Sequence, residues 1–89
     1  MPPPTARDVT RRWLKARVEL PTTVDEQQTW WARSREVFLD CRTWAVARGY
    51  RPPSDVVWGT TLTWLGIKSA VRKIDGRRVR MRNLRLITG

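Results

Sequence analysis

The stretch KSAVRKIDGRRVRMRNLRLI, Lys68 to Ile87, alternates basic and apolar residues on both sides of an Asp-Gly pair. Alternation with period 2 around Asp-Gly predicts a β-hairpin with one buried and one solvent-facing side. A three-residue loop, Ile74-Asp75-Gly76, closed by a left-handed Gly, would set Val71 against Val79 and Ser69 against Met81 on the inner side. The outer side would then pair Lys68 with Arg82, Ala70 with Arg80 and Arg72 with Arg78. Like charges directly across a ladder repel by some tenths of a kcal/mol per pair. A stable hairpin alone has no need of them, so a polyanion is expected to rest on that face.

Charge is distributed to match. The 89 residues carry 18 Lys+Arg against 8 Asp+Glu, a formal net charge of +10. Residues 68–89 hold 8 basic and 1 acidic residue, net +7, whereas residues 1–67 hold 10 and 7, net +3. A basic cluster at one end is the footprint of a nucleic-acid partner or an anionic membrane surface. Most of the cations are Arg, whose forked guanidinium suits phosphate better than the Lys ammonium does.

Several chemistries are disfavoured by composition. The chain has no His and a single Cys, Cys41, so neither a zinc site nor an internal disulfide is expected. There is no Gly-rich phosphate loop with its Lys, and no acid/base or nucleophile constellation, so the chain is expected to be non-catalytic and without cofactors. MPPPTARDVT lacks an apolar signal segment, and no apolar run approaches the ~20 residues that cross a bilayer. No membrane partner and a cytoplasmic location are expected.

Residues 1–5 read as a disordered segment or linker, because Pro2 to Pro4 forbid a helix, and residues 6–89 as one small domain. Thr5 and Asp8 form a capping box opening a first helix over 6–18, with Val9, Trp13 and Ala16 on its packing side. Glu19 to Thr29 reads as a loop with room for one helical turn. Thr29 to Arg33, TWWAR, predicts a short strand with one of Trp30 and Trp31 buried, followed by Ser34 as N-cap. The alternative is one long helix from Thr23 to Arg48. A second helix over 35–48 buries the stripe Val37, Phe38, Cys41, Trp44 and Ala45 and ends at Gly49. After Pro52 and Pro53, Ser54 caps a third helix over 55–65. It should bury Val57, Trp58, Leu62 and Leu65 and turn Asp55, Val56, Gly59, Thr60 and Thr63 outward. At Asn83 the inward phase of the hairpin shifts, predicting a bulge.

This order of elements predicts an α+β fold, a winged helix-turn-helix of three helices, a short strand and a C-terminal basic hairpin. The segment FLDCRTWAVARGYRPPSDVVWGTTLTWLGI, followed by GRRVRMRNLRLI, resembles the C-terminal domain of phage, plasmid and poxvirus-type primase–helicase replication proteins. Phe38, Trp44, Gly49, Pro52, Trp58, Gly59, Leu62, Gly66 and Leu84-Arg85-Leu86 carry the resemblance, which covers about residues 34 to 87. It implies a winged helix that engages origin or fork DNA, with helicase and primase domains as partners in cis or in trans. Members of that family often carry Arg or Lys on the third helix. SDVVWGTTLTWLG has none, which shifts the expected affinity to the hairpin and the first helix.

The expected DNA-binding residues are Lys68, Arg72, Lys73, Arg77, Arg78, Arg80 and Arg82 of the hairpin, with Ser54, Thr60 and Thr63 of the third helix offering hydroxyls. Arg72, Arg78, Arg80 and Arg82 should share one face. Trp13, Trp44 and Trp58 should be core; Trp64 is either packed or a base-stacking residue. Gly59 permits close helix packing or close approach of DNA. Two other functions fit the composition: a small phage excisionase or transcriptional regulator, and a protein-interaction module that docks a helicase. If Lys68 and the four face arginines neutralise about five phosphates, log K should fall against log[salt] with a slope near −4.5.

Overall fold

The structure is a computed structural model and describes residues 4–87, so most of the N-terminal segment expected at 1–5 lies outside it. Among the described residues the chain is an α+β domain of four helices and two small antiparallel sheets. No described helix is long and apolar enough to cross a membrane.

Helix α1, Ala6–Arg17, starts where the capping box requires: the Asp8 amide donates to Thr5 Oγ1 (3.2 Å) and the Thr5 amide to Asp8 Oδ2 (3.3 Å). Val9, Thr10 and Trp13 are its buried residues, while Ala16, expected on the packing side, is exposed. Strand β1, Val18–Glu19, follows directly. The next segment is more ordered than a loop. A second capping box, Thr23 with Glu26, opens helix α2, Val24–Thr29.

The long helix from Thr23 to Arg48 does not form. Asn83, almost fully buried, donates its two amide hydrogens to the carbonyls of Gln27 (3.0 Å) and Trp30 (2.9 Å). Those carbonyls are thereby withdrawn from helix propagation, and Trp30 leaves the helical backbone region. Strand β2, Ala32–Arg33, then leads into helix α3, Ser34–Ala47, so Ser34 is the first helical residue and not the N-cap. Trp30 and Trp31 are both half-buried, each covered by a guanidinium: Arg85 lies 4.0 Å from the Trp30 centroid and Arg72 5.2 Å from that of Trp31.

Helix α4, Asp55–Trp64, is capped by Ser54, whose hydroxyl accepts from the Val57 amide. It buries Trp58, Thr61 and Leu62; Leu65 lies beyond its end and is exposed, against expectation. Gly66 there takes φ +85°, the left-handed region that lets the Ile67 amide turn back to the Leu62 carbonyl (3.0 Å).

The hairpin consists of β3, Ser69–Ile74, and β4, Arg77–Arg82, joined by a two-residue turn. Asp75 (φ +51°) and Gly76 (φ +77°) both have positive φ, the signature of a type I′ turn, whose twist matches that of the strands. The three-residue loop is therefore replaced, and the register moves by one. Val71 faces Arg80, Ser69 faces Arg82 and Lys73 faces Arg78 on one side. On the other, Ala70 faces Met81, Arg72 faces Val79 and Ile74 faces Arg77. Only Lys73 and Arg78 oppose like charges, and Val71 points outward. Strand β2 pairs with the far edge of β4, giving the order β2-β4-β3.

Asn83 is no bulge within the ladder. The chain leaves the sheet there, and β5, Arg85–Leu86, pairs with β1 instead. Its phase shift marks a change of sheet.

The core lies where α1 meets α3 and α4. Trp13 and Trp58 pack at 6.1 Å between centroids, and Phe38 meets Trp58 edge-on at 5.3 Å. Trp44 is only partly buried, with the Tyr50 ring tilted against it at 5.8 Å between centroids and the Arg48 guanidinium 5.4 Å from the Trp44 centroid. The fully buried Trp13 donates its indole N–H to Asp40 Oδ2 (2.9 Å), and Arg17 forks onto the same carboxylate. Burial raises the Asp40 pKa; the hydrogen bonds from Arg17 and Trp13, with the Arg17 charge, outweigh it and hold the carboxyl below its ordinary value. Beside it, burial and then the Asp40 charge push the Cys41 thiol up to about 12, leaving a packing residue.

A carboxyl with a depressed folded pKa contributes stability that is present above its unfolded pKa, about 3.9, and lost as the pH falls through the folded value. Thermal melts should show Tm falling as the pH drops below about 4, with Asp40→Asn removing part of that fall. At pH 7, Asp40→Ala strands the Trp13 N–H and should cost about 1–3 kcal/mol by denaturant titration.

Candidate nucleic-acid interface

The corrected register determines where each expected contact residue sits. Arg78, Arg80 and Arg82 share one face of β4, which turns toward α4. Arg72 is on the opposite face over Trp31, so the four arginines do not form the single row expected of them. Lys73 and Arg78 lie near the exposed tip on the α4-facing side, with Arg77 next to the turn on the other. Lys68 precedes β3 and lines a separate small cleft with Leu65 and Asn83.

Arg82 is the largest departure. It is 4% exposed, inside the domain and not on its surface. Its Nη1 donates to Thr63 Oγ1 (3.2 Å) and the Ile67 carbonyl (3.5 Å), its Nη2 donates to the Gly59 carbonyl (3.3 Å), and the guanidinium lies 5.7 Å from the Trp58 centroid. These acceptors belong to α4 and the turn just after it. Burial, and then the neighbouring Arg80 charge, lower its pKa, although a guanidinium stays protonated at any ordinary pH. A Cβ at Gly59 would stand 3.4 Å from Arg82 Nη2, an ordinary van der Waals contact, so the packing here does not by itself require glycine.

Two open clefts meet along Asp55, Gly59, Arg80 and Arg82. The first, about 620 Å³, lies between the outer face of α4 and β4 and is bordered by Val56, Thr60, Thr63 and Trp64. It brings together the expected Thr60, Thr63, Arg80 and Arg82. The second, about 980 Å³, runs past the N-terminal end of α4 to α3 and includes the expected Ser54. It also holds three exposed cations that sequence reasoning missed: Arg35 and Arg42 of α3, and Arg51 of the α3–α4 connection. Their signal was present. Arg35, Leu39 and Arg42 recur at i, i+4 and i+7 on the side of α3 away from Val37, Cys41 and Ala45.

Among the described residues the ion pairs are Arg17–Asp40 and Arg85–Glu19, both away from these clefts. Arg35, Arg42, Arg51 and Arg80 thus line one groove with no carboxylate partner, against a single acidic lining residue, Asp55. Ser54 spends its hydroxyl on the α4 cap, and Thr63 spends its own on Arg82 and the Gly59 carbonyl. Thr60 makes no such bond and stays exposed at the cleft.

No protein-family model matches the chain, and no curated protein or solved structure does either.

The two neighbours on β4 should behave oppositely. Arg82→Ala removes a buried side chain with its hydrogen bonds and should cost about 2–4 kcal/mol, lowering Tm by roughly 8 °C or more. Arg80→Ala, on an exposed side chain, should stay within about 0.5 kcal/mol. Differential scanning fluorimetry of the two variants decides it.

Proposed function

We propose that this chain is a non-catalytic DNA-binding module of the winged helix-turn-helix type, with α4 as the helix that enters the groove and the β3–β4 hairpin as the wing. The observation that carries this function is the set of four unpaired arginines, Arg35, Arg42, Arg51 and Arg80, bordering one groove beside the N-terminal half of α4. Exposed guanidinium groups without internal partners meet phosphate at little desolvation cost, and their spread over α3, the α3–α4 connection and β4 suits a backbone tracked over several residues.

The element order supports the same function. Helices α1 and α2, the short strand β2, helices α3 and α4 joined by a Pro-bearing turn, and a hairpin, with sheet order β2-β4-β3, are compatible with a winged helix. The resemblance to the C-terminal domains of mobile-element primase–helicases gives the setting: a cytoplasmic replication protein whose helicase and primase lie in other domains. Arg35, Arg42 and Arg51 take the part that a basic recognition helix plays elsewhere. In this reading α3 contributes affinity alongside the hairpin.

The partner is duplex or fork DNA. Arg82, inside the domain, and Arg72 and Lys68, outside the groove, drop out of the phosphate-binding set. Arg35, Arg42 and Arg51 join Arg78 and Arg80, so the expected slope of log K against log[salt] is again near −4.5, carried by different residues. Fluorescence anisotropy of a labelled duplex, titrated from low to physiological salt, tests it. Replacing Arg35, Arg42 and Arg51 together by Ala should reduce the slope by roughly 2.7, about 0.9 for each phosphate no longer neutralised. An unchanged slope with unchanged affinity would remove the groove from DNA binding.

A further inference from the structure

Among the described residues no large apolar side chain is more exposed than Trp64, at 72%. The other five indoles all have partners. Trp13 and Trp58 pack on each other, Trp44 packs on Tyr50 beneath Arg48, and Trp30 and Trp31 each lie under a guanidinium. Over Trp64 there is neither an aromatic ring nor a guanidinium among the described residues.

Its place is specific. Trp64 is the last residue of α4, on the same outward stripe as Val56, Thr60 and Thr63, and it borders the 620 Å³ cleft with Arg80. The acidic residue of that cleft, Asp55, is nine positions earlier, about 13 Å away along the helix. The cleft therefore joins an exposed indole with Arg80, which also borders the arginine groove. That combination matches an anionic chain bearing π-faces better than an apolar protein surface, which gains nothing from Arg80.

The form of nucleic acid follows from what an indole can do. Paired bases in a duplex groove present edges carrying donors and acceptors, and their faces are covered by stacking. An indole has one donor and no acceptor, so it reads edges poorly. Its large gain is stacking on a base face, and that requires a base that is unpaired.

We propose that Trp64 stacks on an unpaired base at the edge of a duplex, so that the preferred partner of the α4 cleft is a junction between paired and single-stranded DNA. This rests on the DNA-binding function proposed above and adds the substrate form. The arginine groove holds the duplex backbone, and the cleft takes the first base beyond it.

The test compares the full chain with its Trp64→Ala and Trp64→Phe variants on two oligonucleotides of equal phosphate number: a blunt duplex and a shorter duplex with a single-stranded tail carrying 2-aminopurine at the first unpaired position. Wild type should bind the tailed form about 5- to 150-fold more tightly and quench the 2-aminopurine. Trp64→Ala should lose that preference and the quenching, Trp64→Phe should keep part of both, and affinity for the blunt duplex should change less than twofold in either variant. Equal affinity of wild type for both forms, or Trp64→Ala weakening both by the same factor, overturns the stacking assignment while leaving the arginine groove standing. Binding of neither form removes both. Since Trp64 is exposed, its variants should melt within a few degrees of wild type, confirming that each comparison concerns folded protein.

Discussion

One buried guanidinium ties the β3–β4 hairpin to α4 and so shapes the cleft between them. Arg82 leaves the end of β4 and is held by the Thr63 hydroxyl and the carbonyls of Gly59 and Ile67, with its plane over Trp58. Those groups belong to the middle of α4, its last turn and the segment after it. Its acceptors are a hydroxyl and two carbonyl dipoles, so Nη1 and Nη2 are satisfied without a carboxylate, while the buried Nε has no partner among the described residues. The bond set fixes the hairpin against α4 and thereby sets the width of the cleft between them. Asn83, the next residue, ties the same end of β4 to α2 and to the carbonyl before Trp31. Adjacent polar side chains thus clamp the hairpin root to both halves of the domain.

The alternation of Arg with apolar residues therefore conceals several tasks under one pattern. Arg82 is a structural latch, Arg80 a rim cation, and Arg72 a cover for Trp31. A one-residue change of register reassigns every side chain in a ladder, and here it was a two-residue turn in place of a three-residue loop that did so. Asp-Gly is compatible with both, and only the tertiary fit decides between them. The Thr5–Asp8 capping box, much of the stripe of α3 and the helix-ending glycines were legible because each is a local rule: a side chain three residues from its partner, or a period that needs no knowledge of the rest of the chain. The fate of Asn83 was not legible, since its acceptors lie more than fifty residues away in the sequence. Arg35, Arg42 and Arg51 are an intermediate case. The exposure of Arg35 and Arg42 could be read from the period of α3, but their meeting with Arg51 of the α3–α4 connection and with Arg80 depends on how α3 sits against β4.

Aromatic residues show the same split between local and tertiary control. Six indoles in a chain this short suggest a core built on rings. Only Trp13 and Trp58 are fully committed to it, joined by Phe38. Trp30, Trp31 and Trp44 lie at its margin under guanidinium groups, an arrangement that shields apolar surface while using cations the chain already carries in excess. Arg85 does two jobs at once, stacking on Trp30 and forking onto Glu19. Much of the +10 charge is thus absorbed by structure, and counting cations alone overstates the surface available to a polyanion.

What remains at the groove divides affinity from selectivity. On the DNA-binding function proposed above, arginines that border α4 without belonging to it attract the phosphate backbone at long range, in a manner weakened by salt and indifferent to base order. On α4 itself, Val56, Thr60 and Thr63 offer methyl groups and the Thr60 hydroxyl, which suit the methyl of thymine and undemanding edge contacts. Bidentate contacts to guanine need a guanidinium or ammonium on the helix, and α4 has neither. Under that proposal, a helix of this composition held in place by flanking cations would discriminate weakly among base sequences. Selectivity then has to come from the form of the nucleic acid, because shape and uncovered base faces are what a neutral helix ending in an exposed indole is equipped to distinguish.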